Sequence, residues 1–152
     1  MRIWSFSPKY LNNQYLTALW KEGIMGMRSL YAYTNNEKRG YSNHSQLNRF
    51  KIINGLNALC TYLDEVYEEA NKRGLKYNKE LIYPHKQFED KIKVSKGQLL
   101  FEHSWYLSKM QTRDLEHFNK LSKLKYLEVN KIFEVVENDM RIEKWEKTEV
   151  EK

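Results

Sequence analysis

From Asn12 onward the apolar residues Leu16, Leu19, Trp20, Ile24, Met27, Leu30 and Tyr31 recur at helical spacing. They predict a long helix over about 13–33, ended by Thr34-Asn35-Asn36. Its opposite stripe carries Gln14, Ala18, Lys21, Met25 and Arg28, with Glu22 beside it. Ala18 and Gly26 stand one turn either side of Glu22. Small residues there either leave the carboxylate in an open groove or let another element pack closely. Upstream, Ser7-Pro8 is a turn or helix-start signal with Pro8 at a first helical position.

Residues 37–43 read as a basic, glycine-containing loop, followed by a helix from His44 to about Phe50 or Ile53. Asn54-Gly55 either breaks that helix or weakens it. The clearest periodicity spans Leu56 to Lys72, with Leu59, Leu63, Val66, Tyr67 and Ala70 on one face and Gly74 as a left-handed cap. Residues 76–94 read as a loop-rich connector with one helical turn at Asn78 to Ile82. Ser95 is an N-cap for a helix through Leu99, Glu102, Tyr106 and Met110, and a further helix is expected over about 114–127. Ile132 to Val136 and Arg141 to Trp145, flanking Glu137 to Met140, suggest short extended segments or a small hairpin. The expected fold is mostly α: a compact single-domain helical fold over 1–145 with a short extended or β-hairpin C-terminal segment, then a charged tail at 146–152.

Length and composition suit one domain with a real core. The 152 residues include 11 Tyr, 6 Phe and 4 Trp, which bury large areas per residue. A lone cysteine, Cys60, allows no internal disulfide, and no apolar run is long enough to span a bilayer. A soluble, cytoplasmic protein is therefore expected. The net charge of +6 favours an anionic partner. It is unevenly placed: Arg2, Lys9, Lys21, Arg28, Lys38, Arg39, Arg49 and Lys51 face only Glu22 and Glu37 in the first 60 residues. That is the pattern of a phosphate-facing side, or of ordinary solvated lysines.

Little conventional reactive chemistry is available. Cys60 falls on the apolar side of a helix and reads as a small buried hydrophobe. His44, His85, His103 and His117 lack metal-ligand spacing, and no phosphate loop or dinucleotide fingerprint occurs. What remains is the terminal amine of Met1 and the carboxylate of Glu22. Free α-amines titrate near 7.7–8.0, so such a group keeps a neutral, nucleophilic fraction at pH 7. Around them stand basic groups able to hold phosphates and aromatics able to replace base stacking.

Arg2-Ile3, Gln14, Leu16 and Lys21-Glu22, then His44 with Lys51 and Lys72-Arg73-Gly74, resemble the pyrimidine dimer DNA glycosylase (endonuclease V) family. Pro8-Lys9-Tyr10-Leu11, Leu19 to Gly23, Gly40-Tyr41, Asn43-His44, Gln46-Leu47, Arg49-Phe50, Ser95 to Leu99, Lys109-Met110, Arg113-Asp114 and Ile132 to Val136 with Trp145 are similar to a bacterial branch of it. The resemblance implies a repair glycosylase with abasic-site lyase activity. The N-terminal amine attacks the sugar C1′ to give a Schiff base, and a glutamate assists β-elimination. It places the amine on Met1 and the glutamate on Glu22. Arg2, Gln14 and Lys21 fall on DNA-contacting or site-shaping positions, as does His44. The phage enzyme exposes a threonine amine after losing its initiator methionine, whereas the matching position here is Met1 itself, expected to be retained before the bulky Arg2. Arg28 is the nearest match to a basic residue that follows the family's glutamate. Lys96, Lys109 and Arg113 are further candidate DNA contacts, and Trp4, Tyr41 and Trp105 are candidates to meet a base. Double-stranded damaged DNA is the expected partner of a monomer that needs no metal, nucleotide or other cofactor and no membrane. The rival readings are a non-catalytic nucleic-acid-binding module and a helical protein-interaction domain.

Overall fold

The long helix occurs where periodicity places it. In the computed structural model, which describes residues 1–137, α1 runs Asn13–Thr34 and is capped by Asn12, whose side chain accepts the Tyr15 N–H. Pro8–Tyr10 forms a 3-10 turn capped by Ser7. Ser45–Phe50 is also a 3-10 turn, shorter than the expected helix, with His44 Nδ1 accepting the Gln46 N–H at its start. Helix α2 spans Gly55–Lys72 and closes on Gly74 at φ 77°. Ser95 caps α3, Lys96–Arg113, and Asp114 caps α4, Leu115–Leu121, which stops short of the expected 127.

Two short strands join the helices. Strand β1, Ile92–Ser95, takes the last three residues of the stretch expected to be loop together with the capping Ser95, and it pairs in parallel with β2, Phe133–Val136. Ile92 stands opposite Phe133 and Ser95 opposite Val136. The C-terminal segment is thus extended, as one of the two expectations had it. Its partner among the described residues is β1 rather than a hairpin neighbour. The expected second segment at 141–145 and the tail at 146–152 lie outside the described residues.

Helices α1 and α2 form the main packed pair, meeting where Gly23 faces Leu63. Leu16, Leu19, Ile24 and Met27 join Leu59, Leu63 and Val66 in one core. The segment ahead of α1 does not lie on the surface: Ile3, Trp4, Ser5 and Phe6 are all buried. Trp4 stacks on Phe6 at 4.9 Å between ring centroids, and both rings meet Tyr106 of α3. The extended amino-terminal segment is therefore a core element, enclosed by α1, α2, α3 and the 45–50 turn.

Gly55 starts α2 rather than interrupting a helix. A Cβ there would stand 1.7 Å from the Phe50 carbonyl oxygen, a backbone atom that cannot step aside. Gly55→Ala is accordingly expected to cost about 3 kcal/mol through forced separation of α2 from the 45–50 turn. Urea unfolding measures it, and a loss below about 1 kcal/mol would show that the turn can relax.

Candidate active site

The opening of the chain and the middle of α1 meet in one small cavity. Its volume is about 180 Å³, and Met1, Arg2, Trp4, Tyr15, Ala18, Leu19 and Glu22 line it. The Met1 side chain is fully buried while the residue as a whole is only half-buried, so its exposure belongs to its backbone and amine. The amine nitrogen lies 4.0 Å from Glu22 Oε2. That oxygen is itself shielded from solvent and accepts no hydrogen bond from a described residue. The amine and the carboxylate therefore face each other across a gap that a single water can span, within reach for proton exchange.

The two small residues beside Glu22 divide the roles that the sequence left open. Ala18 is exposed and lines the cavity. Gly26 is buried, and a Cβ on it would stand 3.2 Å from Met1 Sδ and 3.3 Å from Leu47 Cδ2. Gly26 thus makes the seat for the Met1 side chain, while Ala18 leaves the carboxylate accessible.

An open groove continues from the cavity along the outer face of α1, lined by Asn13, Gln14, Thr17, Ala18, Lys21 and Glu22. Gln14 and Lys21 are exposed there. Arg2 lines the cavity rather than the groove, its guanidinium 5.9 Å from the Trp4 ring centroid and 5.2 Å from that of Trp105. Lys109 Nζ sits 5.1 Å from the same Trp105 ring, and Arg113 Nη1 donates to the Tyr15 hydroxyl. Of the three predicted cations on α3, Lys109 and Arg113 therefore come to neighbours of the cavity, one at the Trp105 ring that Arg2 also faces and one at Tyr15 in the cavity wall. Arg28 is exposed further along α1, and Lys96 lies 3.8 Å from Glu137; neither lines the cavity or the groove. A larger concavity of about 710 Å³ opens around Asn12 and Arg73. Its Arg73 is tied to Glu69 and its Lys9 to Glu128, and it holds neither the amine nor Glu22.

Of the aromatic candidates, Trp4 is 2 % exposed and belongs to the core as well as to the cavity wall. Tyr41 is half-buried and comes to Glu22. Its loop docks on α1 through the Tyr41 N–H donating to Ser29 Oγ at 2.9 Å. The Tyr41 pKa is raised above 10.0, first by the charge of Glu22, then by burial, then by hydrogen bonding to that carboxylate. His44 packs edge-on against the Tyr41 ring and caps the 45–50 turn. Cys60 is buried in the core, its thiol pushed up to about 12 chiefly by burial and then by Asp64, so it stays protonated at neutral pH.

Sequence reasoning passed over the polar groups that hold the amino-terminal segment: Gln46, Arg49, Tyr62 and Glu102. Ile3 N–H donates to Gln46 Oε1 at 3.1 Å, and Arg49 Nη2 donates to the Ile3 carbonyl at 2.5 Å. Tyr62 donates to the Trp4 carbonyl at 2.7 Å. Glu102 accepts the Ser5 N–H and the Ser5 hydroxyl, both at 2.5 Å. One signal was present in the chain: Glu102 falls on the same stripe as Leu99, Tyr106 and Met110, where a carboxylate needs buried partners.

Residues 1–83, more than half of the chain, match the model of the pyrimidine dimer DNA glycosylase family, and the chain belongs to that family. No curated protein and no solved structure matches it. The matched stretch holds Met1, Glu22, Tyr41 and Arg49; Glu102, Trp105, Lys109 and Arg113 lie beyond it.

The electrostatic contact between Tyr41 and Glu22 has a measurable consequence. In Glu22→Gln the carboxylate charge is gone, so phenolate formation at Tyr41 becomes easier and its pKa falls toward 10.0. Ultraviolet titration, with Tyr41→Phe subtracted, reads the shift. An unchanged titration in Glu22→Gln would remove Tyr41 from the site.

Proposed function

We propose that this protein is a repair glycosylase and abasic-site lyase that uses the α-amine of Met1 as its nucleophile. The observation that carries the reading is the amine nitrogen 4.0 Å from the shielded oxygen of Glu22, in a cavity opening onto the α1 groove. The neutral amine attacks the sugar C1′ of a damaged nucleotide and the base departs with the glycosidic electron pair. At an abasic site the same amine condenses with the C1′ aldehyde and releases water. Opening of the sugar ring leaves a protonated imine between Met1 and C1′.

The imine acidifies the C2′ proton. Glu22 takes that proton, the electrons form the C2′–C3′ double bond, and the 3′ phosphate leaves with the C3′–O pair. Water then hydrolyses the imine and returns the amine. Every atom in this sequence comes from DNA, water, the amine or Glu22. The cavity is small against the sites that enclose whole drug-sized ligands, which suits a site that receives the sugar at its mouth.

The cationic surroundings supply the rest. Gln14, Lys21 and Arg28 lie on the exposed face of α1, where phosphates of a duplex can be held. Arg2, Lys109 and Arg113 carry that field to the cavity, and His44 and Lys96 extend it outward. A C1′ atom inside a duplex is out of reach of a recessed amine, so the double-stranded DNA must bend or extrude a nucleotide. The family's own substrate, a pyrimidine dimer, is the lesion favoured. The protein acts as a monomer on this reading, because the cavity and groove are completed by one chain.

Borohydride reduction with abasic-site DNA tests the reading. A covalent adduct mapped to Met1 is expected, and Glu22→Gln is expected to trap DNA while losing strand cleavage by at least about 100-fold. No adduct together with salt-sensitive binding would mean a binding module, and neither adduct nor binding a protein-interaction domain. Lys21→Ala should weaken binding across all sequences and reduce the salt slope of log K by about 1. An unchanged slope would take Lys21 off the phosphate path.

A further inference from the structure

An amino terminus is ordinarily the least ordered part of a domain. Here Ile3 and Ser5 have both of their peptide groups tied down. Ile3 is held through its N–H by Gln46 Oε1 and through its carbonyl by Arg49 Nη2. Ser5 is held through its N–H by Glu102 and through its carbonyl by the Asn130 N–H at 2.8 Å. Ser5 Oγ sits at the junction, donating to Glu102 Oε2 while accepting from Arg49 Nη1 at 2.6 Å. Glu102 is completely buried and Arg49 is 9 % exposed. Gln98 Nε2 donates to Glu102 Oε2 at 3.1 Å, and the Arg49 guanidinium lies 4.9 Å from the Phe133 ring centroid.

Stability alone does not account for this arrangement. Two buried, oppositely charged groups cost desolvation, and apolar residues of similar volume commonly serve a core as well or better. Burial raises the Glu102 pKa, and Arg49, the Ser5 hydrogen bonds and Gln98 offset that only in part. What apolar replacements cannot supply is direction: a guanidinium fork and a bidentate carboxylate fix where two successive odd residues of the segment lie. With Ile3 N–H fixed, only Met1 and Arg2 remain to place the amine, and the Met1 side chain is itself seated against Gly26.

We infer that Arg49 and Glu102 are positioning residues for the α-amine: through Ser5 and Ile3 they hold it opposite Glu22. This rests on the amine being the nucleophile as proposed above, but the placement can be read without DNA. Neither residue touches the cavity; both act through the segment they hold.

The test uses the full-length protein with Met1 dimethylated by ¹³C-formaldehyde and cyanoborohydride. In the wild type the ¹³C resonance should follow the ionisation of Glu22, and Glu22→Gln should abolish that response. The double variant Arg49→Met/Glu102→Gln removes both buried charges together. It should lose most of the response and, unlabelled, form the borohydride adduct about 100-fold more slowly at saturating protein, the scale of an ångström-sized misplacement. Its affinity for abasic-site DNA should stay within about twofold. Arg49→Lys keeps the charge without the fork; it should fold and trap about 10-fold more slowly at unchanged affinity. This variant decides the matter if the double variant does not fold. A folded variant with wild-type response and wild-type trapping overturns the inference, as does a wild-type resonance indifferent to Glu22. A wild-type resonance that follows Glu22 without any adduct at Met1 would refute the lyase reading and leave the positioning role standing.

Discussion

The structure depends on burying its own beginning. Residues 3–6 run through the core, and their peptide groups would each be costly there without partners. Gln46, Arg49, Tyr62 and Glu102, drawn from the 45–50 turn, α2 and α3, supply partners for Ile3, for the Trp4 carbonyl and for the Ser5 N–H. The same contacts bind three parts of the chain that are distant in sequence. The terminus therefore serves as the strut around which α1, α2 and α3 assemble, and its free amine emerges where α1 carries Glu22. The contacts that hold the terminus in the core thus also set where its amine stands relative to Glu22.

Much of this was legible from the chain, for reasons that differ between elements. Helix α1 was readable because a capping asparagine, a long apolar stripe and a polar stop all agree on the same boundaries. Met1 and Glu22 were readable as a pair because they are the reactive groups left once thiol, metal and nucleotide chemistry find no support, and because family resemblance gives them roles. Strand β1 was not readable. Ile92–Ser95 is four residues long, and its partner begins 41 positions after its first residue, so its extended form is decided by a tertiary contact that no local pattern records. The same holds for Gly55, whose need for glycine comes from the Phe50 carbonyl and not from its place in a periodicity.

The polar anchors fall between these cases. Glu102 announces itself as a carboxylate on an apolar stripe, but nothing local says that its partner is Ser5, 97 residues away. Arg49 looks like one more member of a basic surface, yet it is nearly buried and aimed inward. Counting amino-terminal cations as a phosphate-facing side thus overstates the surface by this one charge. Lys109 and Arg113 run the other way, since their four-residue spacing brings them to the Trp105 ring that Arg2 faces and to Tyr15 in the cavity wall. The candidate site combines a terminus, one face of α1 and, beside them, residues of α3.

On the proposed reading, chemistry resides in the α-amine and depends on where that amine lies. Selective acetylation of that amine, with the lysines left free, tests this most directly, because it removes the nucleophile while leaving every side chain in place. The acetylated protein should bind abasic-site DNA with its original affinity and no longer cleave it. Cleavage by the acetylated protein at the unmodified rate would exclude the α-amine as the nucleophile, whatever the arrangement around Glu22.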